Sequence, residues 1–449
     1  MSRVVIIGGV AAGMKAAAVG KRRNPELDIC VFQDEPDVSY SACGMPYHLA
    51  DPVAITRQKL VARTVDRFRA DGIDLRVRHR VEAVDLERRQ VSVKDLDNGS
   101  NIIQPFDQLM FATGARAIAT KLDLGPGAPA MFQLRSLRDA DAICKWIEKA
   151  RRVVIVGGGY IGLEMAETCR QHGVHTTLVE MAPRLLPGFQ PWIGDKVTEQ
   201  LEQHQVDLLP GRQVIAAEAG RVFLDDGTAL ECDGVLLCTG VRPNVELALS
   251  AGLKLGTTGA ITVDHGMRTS AAGVFAAGDC SEASHLVGGT PVWYPLGDVA
   301  SRQGRVVGTN LAGGEARFPG VLGTAIFRTF DITVARTGLS YTQAKAAGFE
   351  AIDVQFEAPS RARYMPGSQP LEVTLVADRI TGRVLGAEVA SSDAVDKFVD
   401  VIATAVWGSL TVGDLADLDL AYAPPFSPLI APVQVGGELA RKRCMDSTT

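Results

Sequence analysis

Twice in this chain an apolar strand runs into a glycine cluster, then a helix of small residues, then a second strand ending on a polar side chain. The first copy reads RVVIIGGVAAGMKAAAVG and closes with LDICVFQDE; the second reads RRVVIVGGGYIGLEMAETC and closes with HTTLVEMAP. Each is the pattern of a βαβ unit. Two of them predict an α/β protein with two doubly wound domains, each holding a dinucleotide. A chain of 449 residues exceeds one core of ordinary size, so two or three domains are expected. From about Gly320 the glycine clusters give way to strand-like alternation over 325–330, 372–377 and 384–389. A helix-like stretch over 392–406 and a tail with Pro424, Pro425, Pro428 and Pro432 follow. That texture predicts a separate α+β domain with a loop-rich C-terminus. The expected partition is 1–115 and 247–320 for the first dinucleotide domain, 116–246 for the second and 321–449 for the third.

In the second unit Gly157, Gly159 and Gly162 satisfy G-x-G-x-x-G between a strand and a helix. Such glycines allow a tight turn, close approach of backbone to a pyrophosphate and close helix packing. Glu180 ends the next strand, where a carboxylate accepts from ribose hydroxyls, which predicts a nicotinamide dinucleotide. The carboxylate disfavours the extra phosphate of NADPH, while Arg184 nearby weakens that preference. The first unit is less regular. Gly8 and Gly13 fit the outer positions, Val10 stands in the middle beside Gly9, and Gln33 followed by Asp34 replaces the strand-end acid. Alone, it also describes an ordinary strand-to-helix turn.

It does not stand alone. GVFAAGDC, with Asp279, the FATG of 111–114, the CTGVRPN of 238–244 and VSYSACGMPYHL around Cys43 occur in the order and spacing of one family. Over essentially its whole length the chain resembles the pyridine nucleotide-disulfide oxidoreductases. It is most similar to their single-cysteine branch, which holds coenzyme A-disulfide reductases, persulfide or polysulfide reductases, and NADH oxidases and peroxidases. The resemblance implies FAD and NADH or NADPH as cofactors, with Asp279 on the ribitol chain. It also implies FAD contacts from Gly8, Gly9, Ala11, Ala12 and Gly13, from Gln33 and Asp34, from Ser41, Thr113 and Gly114, and from Pro295, Leu296 and Gly297. On the nicotinamide side it implies Gly157, Gly159, Ile161, Gly162, Glu180 and Gly240. Tyr160 matches a gate residue whose ring covers the flavin until nicotinamide displaces it, and Glu164 is the acid near that face.

Cys43 has no second cysteine five positions on, where His48 stands, so its redox partner must be external, as a mixed disulfide or a sulfenic acid. The segment after it is expected to open a short helix that lowers the thiol pKa. The last histidine is His285, so the C-terminal His–Glu acid–base pair of dithiol reductases is not available. In the single-cysteine branch tyrosines of the partner subunit serve, and Tyr364 and Tyr422 occupy the matching positions. A phenol can protonate a departing thiolate. Oxidase and peroxidase members carry a His in the first glycine loop where this chain has Ala11, which favours a disulfide, persulfide or polysulfide substrate. Coenzyme A is one candidate. Arg22 and Ser39 match its binding residues, and Lys21, Arg22 and Arg23 could meet a phosphate, but Ala42, Ser301 and Ile430 stand where Asn, Asn and Lys are usual. Two rivals stay open: an NADH oxidase or peroxidase cycling through a Cys43 sulfenate, and a reductase for a ferredoxin-like partner with Cys43 idle. Cys444 could act as a second thiol but sits in a polar tail.

Net charge is −6 with both signs mixed along the chain, which leaves no footprint for nucleic acid. There is no run of 18 apolar residues, and the strand-like stretch 4–7 follows too closely on the start for a signal peptide. The eight cysteines show no zinc-ligand spacing, so no metal is expected. The expectation is a cytoplasmic homodimer acting on a small sulfur compound, with no membrane or nucleic-acid partner.

Overall fold

The computed structural model describes residues 2–118 and 120–445. The first parallel sheet has the order Val274–Ala276, Gln108–Phe111, Arg3–Ile7, Asp28–Gln33, Asp74–Val77. The second repeats the plan: Ala130–Phe132, Gly234–Leu237, Arg152–Val156, His175–Glu180, Val206–Pro210, again all parallel. Val4, Val5, Ile6 and Val153, Val154, Ile155 are buried, as expected of strands covered on both faces. In each sheet the glycine-bearing strand is central. Its C-terminal end is therefore the switch point where open α/β sheets bind ligands.

Helix Ala11–Arg23 lies against helix Gly297–Leu311. The approach is close because Gly304 and Gly308 face the backbones of Ala12 and Ala16, where an added Cβ would collide. The two crossover segments meet as an antiparallel ribbon, Ala115–Ala117 with Val241–Pro243. Thr113 Oγ1 donates to the Asn244 carbonyl at 2.6 Å, and Asn244 Nδ2 donates back to the Thr113 carbonyl at 2.8 Å. That clasp joins the ends of both dinucleotide units.

The third sheet is antiparallel, ordered Ala325–Thr329, Ile332–Gly338, Val384–Ser391, Pro370–Asp378, Ala351–Pro359. Helix Val395–Trp407 packs on it, starting later than the sequence pattern suggests because Ala394 holds φ +58°. Two doubly wound sheets plus a C-terminal α+β unit is the expected architecture. The tail departs from expectation. Its prolines predict loops, yet residues 432–445 form the helix Pro432–Met445, which packs on the same sheet. Proline at a helix's first residue forfeits no hydrogen bond, so Pro432 starts this helix rather than forbidding it. Among the described residues no helix is long and apolar enough to cross a membrane, and no His/Cys/Asp/Glu group could hold a metal ion.

Candidate active site

The two glycine loops are built alike. Gly8 (φ +110°) faces the Ala112 carbonyl and Gly157 (φ +105°) the Cys238 carbonyl, each so closely that no side chain fits. Gly13 and Gly162 back onto the carbonyls of Gly8 and Gly157. The strand-end side chains then tie the loops. Gln33 Oε1 accepts from Gly9 N at 2.7 Å, and Glu180 Oε2 accepts from Gly158 N at 2.7 Å. Gln33 is thus the structural counterpart of Glu180, while Asp34 is exposed and faces Arg80 at 3.5 Å.

Some helix starts elsewhere are capped by side chains, while others, at Gln190 and Leu296 among them, are not. Ser136 with Asp139, Ser340 with Gln343 and Thr411 with Asp414 form complete capping boxes. The helices that follow the glycine loops have neither a side-chain cap at Val10 or Gly159 nor an acid in the first turn. Two N-termini with unspent N–H donors, each beside a glycine loop, fit the pyrophosphates of two dinucleotides.

Asp279 sits in the turn that follows strand Val274–Ala276, an edge of the first sheet. Its carboxylate accepts from Arg135 Nη2 at 2.6 Å, and its carbonyl from Trp293 Nε1 at 2.8 Å. Arg135 also donates to the Ala115 carbonyl at 2.9 Å. No motif pointed to Arg135; its only sequence mark is a cation just before a capping box. Ser41 is exposed, Thr113 and Gly114 half-buried, and Pro295, Leu296 and Gly297 lead into the first turn of helix Gly297–Leu311.

Cys43 lies in the 3-10 turn Ala42–Gly44, ahead of the short helix Met45–Ala50. Among the described residues it is the one exposed cysteine. His48, where a resolving cysteine would stand, is buried with Nδ1 2.6 Å from the Ile55 carbonyl. The charges around the thiol are mostly anionic. Burial, Glu164 and Asp279 push its pKa up, and Arg135 pulls the other way. The expectation of a pKa lowered by the following helix is therefore overturned: burial first, and then carboxylates from other segments, outweigh the weak dipole of six residues.

Tyr47, not singled out in the sequence, donates its hydroxyl to Glu164 Oε1 at 3.2 Å, joining the Cys43 segment to the second dinucleotide unit. The signal was its spacing, four residues after Cys43. Burial raises Glu164 to a pKa of about 7. The neighbouring Tyr160 ring stacks on Phe327 of the third sheet, centroids 4.7 Å apart, with Phe189 edge-on at 6.2 Å. Ile161, Gly159 and Gly240 are exposed.

Tyr364 and Tyr422 are 76% and 51% exposed, and within the described residues neither hydroxyl has a hydrogen-bond partner. Ala362 N donates to the Pro424 carbonyl at 3.2 Å, so their loops are side by side. Phe426, Leu429 and Ile430 are exposed on the same tail. Within one chain these tyrosines are not brought to Cys43. Ser39 is half-buried in a left-handed conformation (φ +47°) beside the cysteine segment, and Ser301 lies on helix Gly297–Leu311. Of the basic cluster only Arg22 and Arg23 are free, because Lys21 Nζ donates to the carbonyls of Pro25 and Leu27 at 2.7 and 2.9 Å. Cys444 packs against the third core, where burial raises its pKa.

The family model described as pyridine nucleotide-disulphide oxidoreductase matches residues 2–304, and that family's dimerisation domain matches residues 324–432. The chain is 37% identical to the NAD(P)H sulfur oxidoreductase (CoA-dependent) of Pyrococcus furiosus, over 96% of this chain and 98% of that protein. It is 32% identical to an NADH oxidase of Methanocaldococcus jannaschii, over 98% and 99%. The crystal structure of reduced Bacillus anthracis CoADR-RHD superposes with a TM-score of 0.95 and 34% identity, covering 99% of this chain and 81% of that one.

Proposed function

The chain belongs to the pyridine nucleotide-disulphide oxidoreductase family, and from that premise we propose that it is an FAD-dependent NAD(P)H oxidoreductase reducing a small disulfide, persulfide or polysulfide through Cys43. The carrying observation is a lone exposed thiol set among Asp279 and Arg135 of the first unit's site and Glu164 of the second. The net reaction is NAD(P)H + H⁺ + R–S–S–R′ → NAD(P)⁺ + RSH + R′SH.

The first glycine loop, Gln33, Asp34, Ser41, Thr113, Gly114, Asp279 and 295–297 would hold FAD. The second loop, Ile161, Glu180 and Gly240 would hold the nicotinamide dinucleotide, with Tyr160 and Glu164 flanking its reactive ring. Bound FAD supplies two-electron transfer between nicotinamide and sulfur. The protein's share is to hold Cys43 open to a small thiol compound and to manage protons around it. A thiolate of Cys43 attacks the substrate's sulfur and expels the other half as a thiol. Tyr364 and Tyr422 of a second copy would protonate that leaving group, which accounts for two unpaired phenols on an exposed apolar tail. Arg22, Ser39, Ala42 and Ser301 would line the substrate path, with coenzyme A as the favoured carrier. Eight free thiols suit the reducing cytoplasm, and we place the protein there.

The test is NADH consumption with coenzyme A disulfide, polysulfide, oxygen and peroxide as acceptors. Turnover with a sulfur acceptor at least about tenfold above oxygen and peroxide is expected; the reverse order replaces this reading with an NADH oxidase or peroxidase cycling through a Cys43 sulfenate.

Glu180 sets the coenzyme. Its two oxygens already hold Gly158 N and Ala182 N, and Arg184 is paired with Asp195 at 3.2 Å. Gln33 shows that an amide can keep the loop tie. Glu180→Gln should therefore keep the tie to Gly158 N, give up the bond from Ala182 N at a cost of about 1 kcal/mol, and raise the NADPH/NADH ratio of kcat/KM by about tenfold or more, through loss of one charge facing the 2′-phosphate. An unchanged ratio in steady-state kinetics would remove Glu180 from that role.

A further inference from the structure

By chain order the Cys43 segment belongs to the first dinucleotide unit, between its strands Asp28–Gln33 and Asp74–Val77. By packing it belongs to the second. Tyr40, Met45 and Leu49 are buried in one hydrophobic cluster with Leu137, Leu163 and Ala166 of the second unit, whereas the core around Val4 and Ile6 of the first contains none of the three. Polar contacts run the same way: Arg57, later in the segment, pairs with Asp37 at 2.8 Å and with Asp141 of helix Leu137–Ile147 at 3.0 Å.

The helix Met45–Ala50 that follows Cys43 has six residues, too few to hold itself in place, so its neighbours fix it. Packed on it is helix Tyr160–Gln171, which starts at the second glycine loop. Residues 164, 168 and 172 are spaced by four and form one stripe along that helix and its C-terminal end. All three meet the Cys43 helix. Glu164 Oε1 accepts from the Tyr47 hydroxyl at 3.2 Å, and Thr168 Oγ1 shares its one hydrogen between the Glu164 carbonyl at 2.9 Å and the Pro46 carbonyl at 3.3 Å. His172 Nε2 lies 2.7 Å from the Leu49 carbonyl. A carbonyl only accepts, so Nε2 carries the hydrogen and donates it. This is the bond the short helix cannot make for itself, because Leu49 stands in its last turn, where carbonyls have no partner within the helix. His172 is exposed, so it contributes this hydrogen bond and little packing.

We propose that the second dinucleotide unit carries the Cys43 turn and helix, and that His172 is a positioning residue for the sulfur, acting through the Leu49 carbonyl. This rests on the reading of Cys43 as the redox sulfur. His172 and the second glycine loop stand at opposite ends of helix Tyr160–Gln171, about 18 Å apart at 1.5 Å per residue. Loss of the tie at one end therefore lets the Cys43 helix shift while the dinucleotide loop at the other stays as it was. A reacting atom misplaced by about 1 Å slows its step by up to about a hundredfold, so the effect falls on the sulfur step alone.

The experiment compares wild type, His172→Ala and His172→Gln as FAD-loaded holoenzymes. Hydrogen exchange read by mass spectrometry follows peptides covering 43–51, and NADH oxidation is measured with coenzyme A disulfide or polysulfide and with an artificial one-electron dye. In His172→Ala the amides of 49–51 should exchange about tenfold faster or more, and kcat with the sulfur acceptor should fall about tenfold or more, while KM for NADH and turnover of the dye stay within about twofold. The glutamine amide donates to the same carbonyl, so His172→Gln should recover both losses. Unchanged exchange in His172→Ala means that His172 does not hold this helix, and faster exchange with full sulfur turnover means that it does not position the sulfur. Either result overturns the proposal, as does an equal loss with dye and sulfur acceptors, the mark of a general defect. Hydrogen exchange does not depend on the chemistry of Cys43. If Cys43→Ser keeps full sulfur-reducing activity, it is the reading of Cys43 that fails, and the two failures are distinguishable.

Discussion

Replacing Cys43 by Ser is expected to cut NAD(P)H-dependent turnover of coenzyme A disulfide or polysulfide by roughly 10³-fold or more, since a covalent intermediate has lost its nucleophile. No other sulfur can take over: Cys30, Cys169, Cys232 and Cys280 are buried, and Cys144, Cys238 and Cys444 are half-buried in packed regions. The change exchanges one atom at an exposed turn, so stability should stay within about 0.5 kcal/mol. NADH-dependent reduction of an artificial one-electron dye should also persist, since it needs only the dinucleotide sites. The combination separates the readings. Loss with sulfur acceptors and retention with the dye places Cys43 on the sulfur path, whereas equal activity with both leaves it idle, as in a reductase for a ferredoxin-like partner.

Cys43 was legible because its setting is local: a glycine-flanked cysteine after a dinucleotide unit, with no cysteine at the resolving position. The two βαβ units were legible for the same reason, since strand, turn and helix are contiguous and each glycine answers to a neighbour a few residues away. What escaped is what topology assembles. Arg135 and Asp279 are 144 positions apart and meet only because strand Val274–Ala276 joins the first sheet. The direction of the Cys43 pKa does not follow from helix polarity, which can be read along the chain, because burial and the approach of Glu164, Asp279 and Asp298 from other segments decide it. Lys21 looked free to meet a phosphate, yet it is spent on carbonyls just past its own helix. The close crossing of helices Ala11–Arg23 and Gly297–Leu311 depends on small residues in both, a complementarity no single segment displays. Helix Pro432–Met445 was hidden by prolines that, in the chain itself, lie before it or at its first residue.

The three glycines of the second loop should separate experimentally into two kinds. Alanine at Gly157 must hold φ +105° and place its methyl against the Cys238 carbonyl; at Gly162 it must displace the Gly157 carbonyl. Neither neighbour is a flexible side chain, so each substitution should destabilise the domain by roughly 3 kcal/mol or more. At Gly159 the backbone is extended (φ −79°, ψ −176°), which any residue adopts, and an added Cβ meets nothing within 4 Å. Gly159→Ala should therefore melt within about 0.5 kcal/mol of wild type. Its methyl points into the opening beside an uncapped helix end, where the pyrophosphate would lie, so KM for NADH should rise about tenfold or more. Val10, the counterpart in the first loop, turns toward protein and packs on a hydrophobic core, so the first loop tolerates a side chain there. Thermal unfolding alongside NADH titration reads both effects. A Gly159→Ala protein that melts early, or binds NADH as tightly as wild type, would mean that the open face of this loop is not where the dinucleotide sits.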